Sequence, residues 1–426
     1  MSPCFHWVPS TVSVVKAGRS RLPLAILAAV VAAGAATFLL RPRSGVIDPA
    51  AVDVEAYFSR AQIERAEDFR DTQRVLGLAG LAVGGVTLAL LAWRPPRRLF
   101  DPLARRPLLG GAAAGAGISL LLVAVGLPLA AWRHDRAFDV GLSTQTWGPW
   151  LEDVAKSAGI EAVIAGAGGA IGLALVRRFP RRWWIPGSGI VIAFGVITLW
   201  LWPVLIDPLF NDFQPLKKGR LRSEVLDLAR RADVKVGEVY RVDASRRTTA
   251  VNAYVNGIGP TKRVVLYDNL IDGLPPEQVR QVVAHELGHQ KHRDIYRGLL
   301  WLALAAPAGV YLAQRLAETF GRREGLGDPA RKPVPAALPA IALAVSLVSL
   351  AFGSASNVVS RQVEARADSF SLELTHNPAA LIALQRELAE RNISDPDPPA
   401  LLQTLFGTHP TTIERIGIGE AWAREH

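Results

Sequence analysis

The sequence predicts a mainly α-helical, polytopic membrane protein with about seven membrane-spanning helices and a smaller polar part containing a small β-sheet. Two observations lead there. Half of the 426 residues are hydrophobic and 20% are charged, whereas roughly a quarter of the residues in an ordinary soluble domain are charged. Long apolar stretches also recur along the chain, each close to the ~20 residues that a helix needs to cross a bilayer.

Seven such stretches are readable, at about 22–40, 75–93, 108–132, 158–176, 184–206, 299–316 and 334–352. The first follows Lys16, Arg19 and Arg21 and is long for a secretory signal, so it reads as an anchor. The fourth is interrupted by Glu161 and several glycines, which predicts that it faces other helices rather than lipid. Trp93, Trp132, Trp183, Trp184, Trp200 and Trp202 mark the ends of several stretches, where aromatic rings favour the membrane interface. The net charge of +10 does not read as a nucleic-acid footprint. Its arginines cluster beside apolar runs, as at Arg94, Arg97 and Arg98, and at Arg177, Arg178, Arg181 and Arg182, and no nucleic-acid motif accompanies them. The single cysteine, Cys4, excludes an intrachain disulfide and any Cys-based zinc site, so a metal must be held by His and carboxylates.

The first five stretches make an N-terminal membrane region, 1–206, and the remainder, 207–426, contains the last two. Between stretches five and six, Leu221, Val225 and Leu228 have helical spacing on a charged segment. Residues 236–242 read as a strand. Two further strand-like runs, 252–255 and 263–267, are joined by Asn256-Gly257-Ile258-Gly259-Pro260, a hairpin signal. Pro275-Pro276-Glu277 then opens a helix.

That helix carries His285-Glu286-Leu287-Gly288-His289. Four residues are just over one turn, so both imidazoles project from one face and can share a zinc ion. Glu286 lies beside them as a general base for water activated by the ion. His292 points off that face and reads as a solvated histidine at the helix end. A catalytic zinc takes a third protein ligand. Glu364 and Asp368, one helical turn apart beyond the last apolar stretch, offer a ligand and an acceptor that orients a ligand imidazole. A charged helical face explains the same run, and the residues alone leave both readings open.

Together with Ile206-Asp207-Pro208-Leu209-Phe210-Asn211, Asn252-Ala253-Tyr254, Lys262-Arg263-Val264-Val265-Leu266-Tyr267-Asp268 and His409-Pro410, these motifs resemble the type I CAAX prenyl protease family, seven-span membrane zinc peptidases with the HExxH…ExxxD arrangement of gluzincins. The resemblance implies that 207–426 is a gluzincin-like zinc metallopeptidase domain, with one Zn2+ per chain bound by His285, His289 and Glu364. It implies that Asp368 supports a ligand, and that His409 and Arg415 hydrogen-bond the oxyanion or the substrate backbone. It also places Asn252 on a strand that pairs with an extended substrate. Gln290 stands where eukaryotic members usually have Trp, and Asp294 rather than a further His follows the motif.

The expected function is a membrane-embedded zinc metalloendopeptidase that hydrolyses peptide bonds of membrane-associated or lipidated polypeptides. The alternative is a non-catalytic, zinc-stabilised membrane scaffold or receptor, which would have no need of Glu286; a transporter is disfavoured because no internal repeat is visible. The expected partners are a peptide or protein substrate and the lipid bilayer, with no nucleic acid, and the expected location is a multi-pass membrane protein, in the cell membrane if the source is bacterial. Orientation receives two opposed signals. The basic loops lie on the side of the N-terminus, which places the zinc site outside the cytoplasm. The eukaryotic relatives face theirs to the cytosol. For a bacterial source the reading adopted is the extracytoplasmic one.

Overall fold

The structure, a computed structural model, describes residues 21–256 and 262–426. Cys4 and most of the expected hairpin turn lie outside them. Among the described residues seven helices are long and apolar enough to cross a membrane, and they contain the seven predicted stretches. Most extend beyond them. Thus α1 (Arg21–Leu40) is followed by α2 (Arg60–Trp93), which begins well before its apolar half. Ser59 and Gln62 cap its polar first turn reciprocally, so the charged segment ahead of the bilayer stretch stays helical.

Next, α3 (Pro107–Asp139) and α4 (Trp147–Arg178) pack through glycines. A Cβ on Gly115 would sit 2.2 Å from the Ala165 carbonyl oxygen, so only hydrogen fits there. The glycine face of α4 therefore meets a helix, as expected, although Glu161 itself is exposed. The fifth span, α5 (Trp184–Leu201), continues through a π turn at Trp202–Ile206, where Pro203 interrupts the regular ladder.

The polar segment then forms β1 (Phe213–Pro215), α6 (Arg220–Arg231), β2 (Glu238–Val242), β3 (Ala253–Asn256), β4 (Arg263–Tyr267) and α7 (Pro276–Lys291). Sheet order is β1-β2-β4-β3, with β2 and β4 parallel and both outer strands antiparallel to their neighbours. The strand β1 was not foreseen, and Asn252 lies one residue ahead of β3 rather than within it. Its carbonyl still accepts from Tyr267 N at 3.1 Å and so continues the ladder. Val239, Val264 and Leu266 from the sheet bury themselves with Leu228, Val283 and Leu287, which fastens α7 over one face.

Two further spans follow, α8 (Asp294–Phe320) and α9 (Leu338–Thr375). The predicted anchor α1 packs on both, through Ala33, Ala36, Trp301, Ala305 and Val359. The last part comprises α10 (Pro378–Arg391), α11 (Ala400–Phe406) and α12 (Thr412–Glu425). The strap after α1 reaches it, where Ala50 N donates to Gly417 O at 3.0 Å.

The loops sort to two ends. At one, Arg97 pairs with Glu324 at 2.6 Å and Arg177 donates to Pro333 O at 2.8 Å, which gathers the basic loops. At the other, the sheet, α7 and the C-terminal helices come together.

Candidate metal centre and catalytic cavity

On α7, His285 and His289 project side by side as their spacing requires, with their Nε2 atoms 3.2 Å apart. Gly288 between them lets α7 lie against α9, since a Cβ there would stand 3.3 Å from Ala367 Cα. This close approach brings Glu364 of α9 to the imidazoles. Its Oε2 is 3.2 Å from His285 Nε2, and its Oε1 is 3.5 Å from His289 Nε2.

The Nδ1 atoms point the other way, each to a carboxylate: His285 Nδ1 to Asp368 Oδ1 at 2.8 Å, and His289 Nδ1 to Asp294 Oδ2 at 3.1 Å. A carboxylate only accepts, so each Nδ1 carries a proton, and each Nε2 is the ring nitrogen left to bind a metal once any proton on it is displaced. Three lone-pair donors thus converge, and Glu364 Oε2 has no hydrogen-bond partner. That donor set fits a divalent cation. Four-coordinate zinc with Zn–N near 2.0–2.1 Å would space its ligands by about 3.3 Å, close to the three separations found here.

Electrostatics agree. Burial lowers the His285 pKa, but Asp368 and then Glu364 outweigh it and raise it to about 10. This site wants positive charge. Burial pushes the Glu286 carboxyl up, against the neighbouring His285 and His289 and a hydrogen bond from Val255 N–H, and so makes it a stronger base than an exposed glutamate. The edge strand β3 is fastened to α7 at the same point, because Gln290 donates to Val255 O at 3.2 Å.

A cavity of about 550 Å³ opens beside His285 and Glu286, bordered also by Asn252, His409 and Arg415, with Leu270 and Leu384 among its apolar walls. It brings together every predicted non-metal site residue, with Asp368 at its edge. His409 sits in the turn after α11, its Nε2 3.3 Å from Glu364 Oε2. Burial in the site lowers its pKa, Glu364 opposes this, and solvent over its 56% exposed side chain tempers the effect.

Arg415 has a second partner beside the expected one. The Thr411–Glu414 capping box starts α12 and directs Arg415 inward. There its Nε and Nη2 donate to Asp368 at 2.7 and 2.6 Å, so two of its donors are committed to a carboxylate rather than to a reacting carbonyl. His292 caps the end of α7 and meets Phe370 edge-on, with ring centroids 5.6 Å apart; it is half-buried rather than solvated and lies apart from the His-His-Glu cluster. Sequence reasoning missed Asp294 as the partner of His289. Its signal was an acidic residue five positions beyond the second motif histidine.

Fold and site together define a multi-pass membrane metallopeptidase. The chain belongs to peptidase family M48, whose sequence profile matches residues 215–422, and the profile described as "CAAX prenyl protease N-terminal, five membrane helices" matches 75–212. It is 35% identical to the Bacillus subtilis (strain 168) protein described as uncharacterized metalloprotease YhfN, over 70% of each chain. It is 27% identical to CAAX prenyl protease 1 of Saccharomyces cerevisiae, over 70% of this chain and 69% of that protein. The crystal structure of S. mikatae Ste24p shares the fold, with a TM-score of 0.75 and 19% identity over 94% of this chain and 99% of that one. Membership in this metallopeptidase family implies a bound metal, and the His-His-Glu cluster is a place for it.

Proposed function

We propose that the protein is a zinc-dependent endopeptidase, with one zinc ion per chain held by His285, His289 and Glu364, and that it cleaves membrane-associated or lipidated polypeptides. The observation that carries this reading is Glu286, half-buried on the cavity wall between two imidazoles whose Nε2 atoms lie 3.2 Å apart. A scaffold zinc has no use for such a base.

Zinc bound there supplies Lewis acidity, lowering the pKa of water and polarising the scissile carbonyl. The rest falls to the chain's own groups. Glu286 takes the proton from the attacking water and returns it to the leaving amine. His409, whose Nε2 lies 3.3 Å from Glu364 Oε2, donates to the oxyanion as charge develops there. Asn252, one residue ahead of β3 on the wall of the cavity, is the residue there that meets an extended peptide. Asp368 fixes the His285 ring, and Arg415 fixes Asp368. A lipidated substrate is supported by the relatives named CAAX prenyl proteases and by Asp368 of the long apolar helix α9 bordering the cavity.

The test is zinc analysis of the purified protein, followed by cleavage assays on matched prenylated and unprenylated peptides. Zinc near one equivalent and faster cleavage of the prenylated set are expected. Equal rates on both sets would remove lipidation from the reading, and absence of zinc would remove the mechanism.

A further inference from the structure

The two imidazoles of the metal centre are supported from different directions. Behind His285 stands Asp368, held by Arg415 at the border of the cavity. Behind His289 stands Asp294, the first residue of α8, and its supports come from the membrane spans.

We infer that Asp294 is a positioning residue that sets metal affinity through His289, and that Arg297 couples this support to the end of the first membrane span. The inference rests on the zinc reading above. The Asp294 carboxylate is 8% exposed. One oxygen accepts from His289 Nδ1 at 3.1 Å. The other accepts from Arg366 Nη2, a guanidinium of α9 that is 7% exposed. Arg297 Nε lies 3.6 Å from that same oxygen, a charge contact rather than a hydrogen bond. Arg297 also donates through Nη1 to Leu40 O at 2.5 Å. Leu40 is the last residue of α1, where helix carbonyls have no partner within the helix and carry partial negative charge. Arg366 lies beside the strap that follows α1, where a Cβ on Gly45 would stand 3.8 Å from its Cγ.

The physical effect follows from the tautomer. Holding a proton on Nδ1 leaves Nε2 as the ligand, fixes the ring plane and raises its basicity. Asp294 does for His289 what Asp368 does for His285, but its cations are Arg366 of α9 and Arg297, which reaches the α1 terminus, rather than a residue of the cavity wall. Both matched family profiles begin at or after residue 75, so α1 lies outside them. Its terminus nevertheless stands two side chains from a metal ligand.

The experiment is a zinc dissociation constant, measured by competition with a chromophoric chelator on the full-length protein in detergent. Asp294→Ala is expected to weaken binding by ~10–100-fold. Asp294→Asn, which keeps an acceptor but loses the charge, should fall between it and wild type, and it carries the test if the alanine variant does not fold. Arg297→Met leaves the Asp294–Arg366 pair in place and breaks the link to Leu40; it should weaken zinc severalfold. A purely structural role would lower the melting temperature without moving the dissociation constant. Wild-type affinity in both Asp294 variants overturns the positioning role, and wild-type affinity in Arg297→Met overturns the coupling to α1. A wild-type protein that binds no zinc overturns the proposed function and this inference together.

Discussion

Arg415 and Asp368 form a two-pronged ion pair, with Nε–Oδ2 and Nη2–Oδ1 separations of 2.7 and 2.6 Å and the carboxylate fully buried. Because Asp368 also accepts from His285 Nδ1, the guanidinium acts on that imidazole through one intervening carboxylate.

Replacing Arg415 by Ala should therefore do more than slow turnover. It leaves a buried carboxylate without its cation, a loss of about 3–5 kcal/mol for such pairs. Thermal unfolding and zinc content of Arg415→Ala should both fall. An effect confined to turnover would return Arg415 to the role of a simple oxyanion donor.

Glu364 and His292 separate the ligand set from its neighbours. Glu364→Ala removes one of three converging donors and should strip most of the zinc on dialysis, whereas His292→Ala should keep it, since that ring meets Phe370 instead. Zinc per chain after dialysis checks both, and the opposite pattern would reassign the third ligand.

Zinc binding should strengthen as pH rises. In chelator-stripped protein the pKa of His285 is raised from 6.5 to about 10. Its protonated form thus adds stability that is fully present below about 6.5 and is lost as pH rises through about 10. Zinc needs the Nε2 lone pair, so binding displaces that proton. Affinity should climb by up to about tenfold per pH unit within this window, and titrations between pH 6.5 and 8 test it. A flat profile would show that His285 enters the site already neutral.

The basic loops at 94–106, 177–182 and 322–332 gather at the end of the bundle away from the catalytic cavity. By the positive-inside rule that end is cytoplasmic, so in a bacterial membrane the catalytic site should face outward. A C-terminal reporter active only outside the cytoplasm should give signal, and cytoplasmic reporter activity would reverse the orientation while leaving the zinc chemistry intact.

Legibility followed distance along the chain. The seven spans and the His285–Glu286–His289 set are local patterns, of apolar length and of helical pitch, and they were readable directly. Glu364 lies on another helix, and its segment alone read more readily as a charged surface than as a ligand; only the resemblance favoured the ligand. Asp294 was visible merely as a departure from the family. Its role depends on a reversal that sequence does not display: Arg293 adopts φ of +57°, breaking α7 from α8 and turning Asp294 back under His289. The strand β1 was missed because three residues ending in proline carry no alternation to read.

The central claim is that Glu286 is the base of a zinc peptidase. The most direct test is to measure zinc content and peptide turnover on the same preparation of Glu286→Gln. An amide packs where the carboxylate did but cannot take a proton, so zinc should remain near one per chain while turnover falls by ~100–10,000-fold. Near-wild-type turnover in a folded, zinc-loaded Glu286→Gln protein would contradict the account.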